Sequence, residues 1–210
     1  MFFFLMIVID IESTGNDPSI HALVSIGAVD LKNSSRKFYG ECKIWQGACV
    51  WEGDGKYYKN ALEVNGFTLE QITDSKKLSL KQLLKRFFKW VEKCENITLI
   101  AQNPFFDTAF LKDSAKRVGL KYPFGDRTID LHAVACAVLL QKRYNPPLKD
   151  HKSDLNTTKI LNFVGLSKEP EPHNALTGAI MEAEAFMRLI YGRGIFKQFK
   201  EYPLPDYLHY

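Results

Sequence analysis

The sequence predicts an α/β fold built on a mixed five-stranded sheet with helices on both faces. Three observations predict it. The first third of the chain holds three strand-like runs separated by short polar turns, the pattern of an antiparallel meander. Two further β-branched runs follow at wider spacing. Helical stretches flank those two runs, as in crossover connections.

Taken in order, 3–10 reads as strand one, an apolar run of the kind buried on both faces and ended by a carboxylate. The opening MFFFLMIVID has no basic leader and no small-residue cleavage site, and it is too short to span a bilayer. Neither a signal peptide nor a transmembrane segment is expected. Strands two and three fall at 22–31 and 36–44, with turns at 15–18 and 33–35. The Gly- and Trp-rich stretch 46–59 reads as an irregular loop. From 80 to 94, Leu80, Leu83, Leu84, Phe87, Val91 and Cys94 share one helical face. Lys77, Lys81, Lys85 and Lys89 form the opposite stripe, which reads as a solvated face ahead of a nucleic-acid contact. Strand four is placed at 97–101. Pro104 then opens a helix to Val118, with Gly119 as its stop. Thr128 to Asp130 is strand five, and Asp130 caps a helix over 131–142. A polar loop at 144–153 precedes helices over 155–164 and 173–191. One domain is expected over 1–194, with 195–210 as a tail packed on it.

Composition restricts the class. The 210 residues are 46% hydrophobic and 25% charged, enough for an ordinary core without staples. A net charge of +4 permits a phosphate-bearing partner without demanding one. Cys42, Cys49, Cys94 and Cys136 form no C-x-x-C pair and show no zinc-ligand spacing. They read as reduced thiols of a cytoplasmic, nucleoid or nuclear protein.

Three segments carry chemistry. Asp10 and Glu12 stand two apart at the end of strand one, so period two puts both on one face of the sheet. Carboxylates that close repel unless a cation lies between them, and hard oxygen ligands suit Mg²⁺ or Mn²⁺. Thr14 and Gly15 follow in a turn whose backbone can approach a ligand closely. Strand four delivers Asn103 and then Asp107 at a helix start, beyond a strand end where α/β sheets gather ligands. On its own, Asp107 reads as a helix-dipole partner. His173 precedes the last helix, where a lone His is more often a cap or a packed residue. The three segments occur in order, each at a strand end or a helix start, and coincidence is a poor explanation for all of them.

DIESTG, AQNPFFDTAFL and HNALTGAIMEAEAF resemble the three motifs of the DEDDh (DnaQ-like) 3′–5′ exonucleases of the RNase H-like fold. NTTKILNFVGL and ALEVNGFTLEQI resemble further segments of that family, and the likeness runs from about Ile7 to Leu189. The resemblance implies hydrolysis of phosphodiester bonds at single-stranded DNA or RNA 3′ ends. Asp10, Glu12 and Asp107 would hold two divalent ions, Mg²⁺ or Mn²⁺, about 4 Å apart. His173 would act as general base, since its unperturbed pKa lies near neutrality. Ile11, Thr14, Gly15, Asn103, Phe106 and His173 would contact the terminal nucleotide, with stacking that tolerates any base. Many relatives are dimers, so a homodimer is an expectation. A proofreading or repair role would need a separate polymerase or repair partner.

One position departs from the pattern. The fifth residue after the motif His is Asp in the family and Gly178 here. Three accounts stay open: a deliberate silencing change, a natural variant with weakened metal binding, or another carboxylate standing in. Glu182 lies one turn later on the same helix face, but its Cα sits about 6 Å further along, so full replacement is not expected. The expectation is a weakened second metal site, with reduced or Mn²⁺-dependent turnover. A protein that only binds 3′ ends is the alternative.

Overall fold

In the computed structural model, residues 6–49 and 56–209 are described, 56–60 by backbone alone. The first residues of the expected opening strand and residues 50–55 of the expected loop lie outside that range. Five strands form one sheet in the order β3-β2-β1-β4-β5. They are β1 (Ile7–Ser13), β2 (Leu23–Asp30), β3 (Lys37–Glu41), β4 (Leu99–Ala101) and β5 (Thr128–Asp130). β1 pairs antiparallel with β2 and parallel with β4, so it is the hinge between the meander and the crossover half. The mixed sheet expected from the sequence is therefore present.

The helices are α1 (Lys56–Asn65), α2 (Leu69–Thr73), α3 (Leu80–Val91), α4 (Pro104–Arg117), α5 (Leu131–Gln141), α6 (Thr157–Phe163) and α7 (Ala175–Tyr191). Alternation along β1 divides the core. Ile7, Ile9 and Ile11 pack with α3 and α4, whereas Val8 packs with α5, α6 and α7. Asp10 and Glu12 share the face of Val8 by the same period-two rule, so they look toward α7.

The docking of α7 on the sheet is unusually close. Gly27 of β2 is the register partner of Asp10. A β-carbon on Gly27 would stand 2.1 Å from the backbone carbonyl of Ala175. The absence of a side chain there lets the first turn of α7 lie on the β1–β2 pair beside Asp10. The far end of α7 is pinned by a buried ion pair. Arg188 Nε donates to Glu184 Oε1 at 2.9 Å. The remaining guanidinium nitrogens donate to the carbonyls of Val164, Phe199 and Tyr202. Glu184 also accepts from the backbone N–H groups of Ile195 and Phe196. Phe196, Phe199 and Leu208 bury into the α7 side of the core, so the C-terminal segment lies against the domain.

Two elements differ from the sequence reading. α1 begins at Lys56, so residues 56–59 are helical where an irregular loop is expected. No acidic residue occupies the first turn of α1 and no basic residue the last, so the usual dipole-complementing signals are missing. Within the expected polar loop, β6 (Leu148–Lys149) and β7 (Lys152–Ser153) form a hairpin. Its turn uses positive φ at Asp150 and His151, and an Asp-His pair lacks the glycine that normally advertises such a turn. Asn174 caps the N-terminus of α7, so His173 sits just outside the helix.

Two stability outcomes follow. Gly27→Ala forces α7 off the sheet and lowers stability by about 1–3 kcal/mol, the range for overpacking, read by urea unfolding. Arg188→Met leaves Glu184 buried without its cation and lowers stability by about 3–5 kcal/mol, read the same way.

Candidate active site

The C-terminal half of β1 presents Asp10 and Glu12 toward α7. Asp107 comes from another direction. After β4, Asn103 adopts a left-handed conformation (φ 58°), which turns the chain at once into α4. That turn places Asp107 in the first helical turn, 3% exposed, where its carboxylate is aided by its own backbone N–H and that of Ile11. His173 is held by its backbone N–H, which donates to Val64 at the end of α1 at 2.8 Å. Its ring stays partly exposed, with Nδ1 3.7 Å from Glu169 Oε2.

These elements enclose a cleft of about 270 Å³ lined by Asp10, Ile11, Glu12, Asn103, Phe106, Asp107 and His173. Thr14 and Gly15, expected at the nucleotide, fall outside it. The Thr14 hydroxyl accepts from Ala22 N–H at 2.9 Å and donates to the Cys49 carbonyl. A β-carbon on Gly15 would meet the His21 ring at 2.5 Å. The connection from β1 to β2 folds back on itself, so both residues serve that turn and face inward. A neighbouring cavity of about 300 Å³ shares Ile11, Glu12 and Phe106 and adds Asn16, Val64 and Asn65. Asn65 Nδ2 donates to the Ser13 carbonyl at 3.0 Å and fastens α1 to β1.

Three acidic residues outside the expected site set also line the cleft, Glu169, Glu171 and Glu182. Glu182 is 6% exposed, and its Oε2 accepts from Gln102 N–H at 3.0 Å. The i+4 spacing from Gly178 is the signal that brings Glu182 into consideration. Glu169 lies in a Pro-flanked loop, and nothing local in the sequence marks it. Lys168 also lines the cleft, but its ammonium pairs with Glu171 at 3.0 Å.

The electrostatics are severe. Burial holds Asp10 well above the ordinary carboxylate range, reinforced by Glu182, Glu12, Asp107 and Glu169. Burial and the charges of Glu169 and Asp107 push Glu12 up to about 8. Asp107 rises to about 7 through burial, in spite of its backbone donors. Burial also raises Glu169 and Glu182. Among the described residues, no Lys or Arg ion pair reaches Asp10, Glu12, Asp107 or Glu182.

The donor set fits a hard divalent cation, since every carboxylate oxygen is a hard ligand and the positive charge they lack is what such an ion provides. As the side chains stand, no group of three or more His, Cys, Asp or Glu among the described residues is disposed to hold a metal ion by itself. An open acidic cleft suits Mg²⁺ or Mn²⁺, since Mg²⁺ in particular keeps several waters and binds through one or two carboxylates plus substrate phosphates.

A model of the 3′–5′ exoribonuclease Rv2179c-like domain matches residues 5–190. The chain belongs to this family. Among curated relatives, the PolC-type DNA polymerase III of Thermotoga petrophila is 25% identical over 187 residues. That match covers 88% of this chain and 12% of the polymerase, so the chain spans about an eighth of that relative. Ribonuclease T of Haemophilus influenzae is 25% identical over 131 residues, covering 57% of this chain and 56% of its own length. The fold is shared with the nuclease domain of 3′hExo, a DEDDh family member bound to rAMP. The TM-score is 0.64 at 16% identity, with 98% of each chain covered. E. coli exonuclease I in complex with a dA16 oligonucleotide gives a TM-score of 0.66 at 16% identity, covering 90% of this chain and 41% of that one. The RNase H-like architecture of a DEDDh nuclease is thus present. No helix among the described residues is long and apolar enough to cross a membrane.

The raised carboxyl pKa values set a pH dependence. Glu12 and Asp107 bind protons more tightly folded than unfolded, so between about pH 4 and pH 8 the native state carries more protons. Stability therefore falls as pH rises through that window. In chelator, the unfolding midpoint is expected to drop from pH 5 to pH 8. A midpoint that climbs over that range would show that these acids are not crowded together in the folded protein.

Proposed function

We propose that this chain is a divalent-metal-dependent exonuclease that removes nucleotides from single-stranded 3′ ends. The observation that carries this reading is the meeting of Asp10, Glu12, Asp107 and His173 in one cleft of a chain that belongs to a 3′–5′ exoribonuclease family. The family description makes RNA the first substrate to test. The exonuclease I neighbour was solved with a DNA oligonucleotide, so DNA is the necessary comparison. An intracellular location agrees with Cys42, Cys49, Cys94 and Cys136 forming no disulfide among the described residues.

Asp10, Glu12 and Asp107 hold the ions in this reading. When bound, two divalent ions stabilise charge on the attacking and leaving oxygens and make water a better nucleophile. The carboxylates alone would repel a phosphodiester, and neutralising them is what allows the substrate to enter. His173 takes a proton from the attacking water through its ring. Its partial exposure lets it pass that proton on to solvent. Glu169 Oε2 stands 3.7 Å from Nδ1 and orients the imidazole. Ile11 and Phe106 give the terminal nucleoside an apolar wall, and Phe106 is itself braced by Phe110 at a ring distance of 4.9 Å. Asn103 offers amide hydrogen bonds to the sugar from the cleft rim.

Matched RNA and DNA oligomers labelled at the 5′ end, assayed with Mg²⁺ and with Mn²⁺, test the proposal. Stepwise shortening from the 3′ end is expected, abolished by EDTA and by Asp10→Asn. His173→Ala should slow the chemical step by about 10²–10⁴-fold, the usual contribution of a general base. Binding of 3′ ends without any cleavage at high Mn²⁺ would make the protein a binding module instead.

A further inference from the structure

We infer that Glu182 supplies the fourth metal-binding carboxylate of this cleft, in place of the side chain that Gly178 lacks. The inference rests on the metal-dependent reading of the site and concerns which residues complete it.

Gly178 faces Asp10 directly. A β-carbon at this position would lie 2.0 Å from Asp10 Oδ2, so the Asp10 carboxylate already fills the space of a side chain there. An acid on α7 must then come from elsewhere on the same helix face. Glu182 is one turn further along α7. Helical side chains lean toward the helix N-terminus, so a long residue covers the surface over the preceding turn. At that preceding turn stands a glycine, so no side chain of α7 itself lies between Glu182 and the Asp10 carboxylate. The lean and the extra methylene of Glu offset the advance of about 6 Å in its Cα.

The position of Glu182 matches this role. It lines the same cleft as Asp10, Glu12 and Asp107, and it is 6% exposed. Oε2 accepts from Gln102 N–H. Oε1 has no hydrogen-bond donor among the described residues. Oε1 is not among the fully enclosed side-chain atoms left without a partner, so it opens onto the cleft, where a cation can reach it. Glu182 shares the cleft with Asp10, Glu12 and Asp107. Two enclosed acids side by side need a proton or a cation between them.

Glu169 is the competing candidate. Its Oε1 lies 3.4 Å from the β-carbon position of Gly178. Its two oxygens, however, are directed to Asn174 N–H at 3.5 Å and to the His173 ring at 3.7 Å, which assigns it to the histidine.

Counting bound Mn²⁺ by electron paramagnetic resonance, together with the Mn²⁺-induced rise in Tm, tests the assignment without reference to activity. The wild-type chain is expected to bind two ions. Glu182→Gln should keep one and bind the second at least about tenfold more weakly. Its metal-free Tm should not fall, because the swap is isosteric and removes a buried charge, while its Mn²⁺-induced rise shrinks. Glu169→Gln should keep both ions. Adding Gly178→Asp to Glu182→Gln should recover the second ion, with the short Asp10 side chain rotating aside. Two ions at wild-type affinity in Glu182→Gln, or loss of an ion in Glu169→Gln, overturns the inference and leaves the nuclease reading standing. A wild-type chain that binds no Mn²⁺ removes both.

Discussion

The seating of α7 on the β1–β2 pair governs this molecule. Gly27 on the sheet lets the helix backbone come down beside Asp10, and Gly178 on the helix leaves room for the Asp10 carboxylate. With a side chain at Gly27, α7 would ride higher. His173 and the acids of α7 would then be lifted away from the β1 carboxylates. The Arg188–Glu184 pair fixes the opposite end of the same helix to the C-terminal segment, so α7 is held at both ends. Position along and above the sheet is thus set by packing and hydrogen bonds remote from the cleft.

The cleft shows the other side of that arrangement. Four or more acids are forced together by β1, α4 and α7, which are rigid for reasons unrelated to charge. Burial raises each of them, and repulsion from neighbouring acids adds to it for Asp10, Glu12 and Glu182. The core on both faces of the sheet offsets that repulsion. A fold that tolerates such crowding is stabilised further by any cation entering the cleft, because such an ion binds only the native arrangement. Function and stability are therefore linked through the same carboxylates, and a chain of net positive charge still presents a strongly anionic pocket.

Much of the fold was legible because its signals are local. Alternation in β1, the β-branched run of β4, Pro104 at the start of α4 and the Asp130 cap each report their own element. The illegible parts lacked such signals. α1 carries no charge pattern at either end, and the β6–β7 turn reaches positive φ with Asp150 and His151 in place of glycine. Thr14 and Gly15 lie outside the cleft, because a flexible turn at a strand end can face a ligand or fold inward. The choice fell to His21 and Ala22, which occupy the inner side of that turn.

By itself, the sequence determined which face of β1 would carry Asp10 and Glu12, because a strand has a fixed period of two. It also determined that Asp107 and His173 would each stand at a helix start, and that position 178 would offer no carboxylate. The tertiary structure alone decided what fills that position. Asp10 turns into the vacant volume, and Glu169 and Glu182 join the cleft from a loop and from the next turn of α7. The reason is geometric. How far a side chain reaches depends on how closely its helix approaches the sheet, and that approach is set at Gly27, which stands about 150 residues away from Glu182 in the chain.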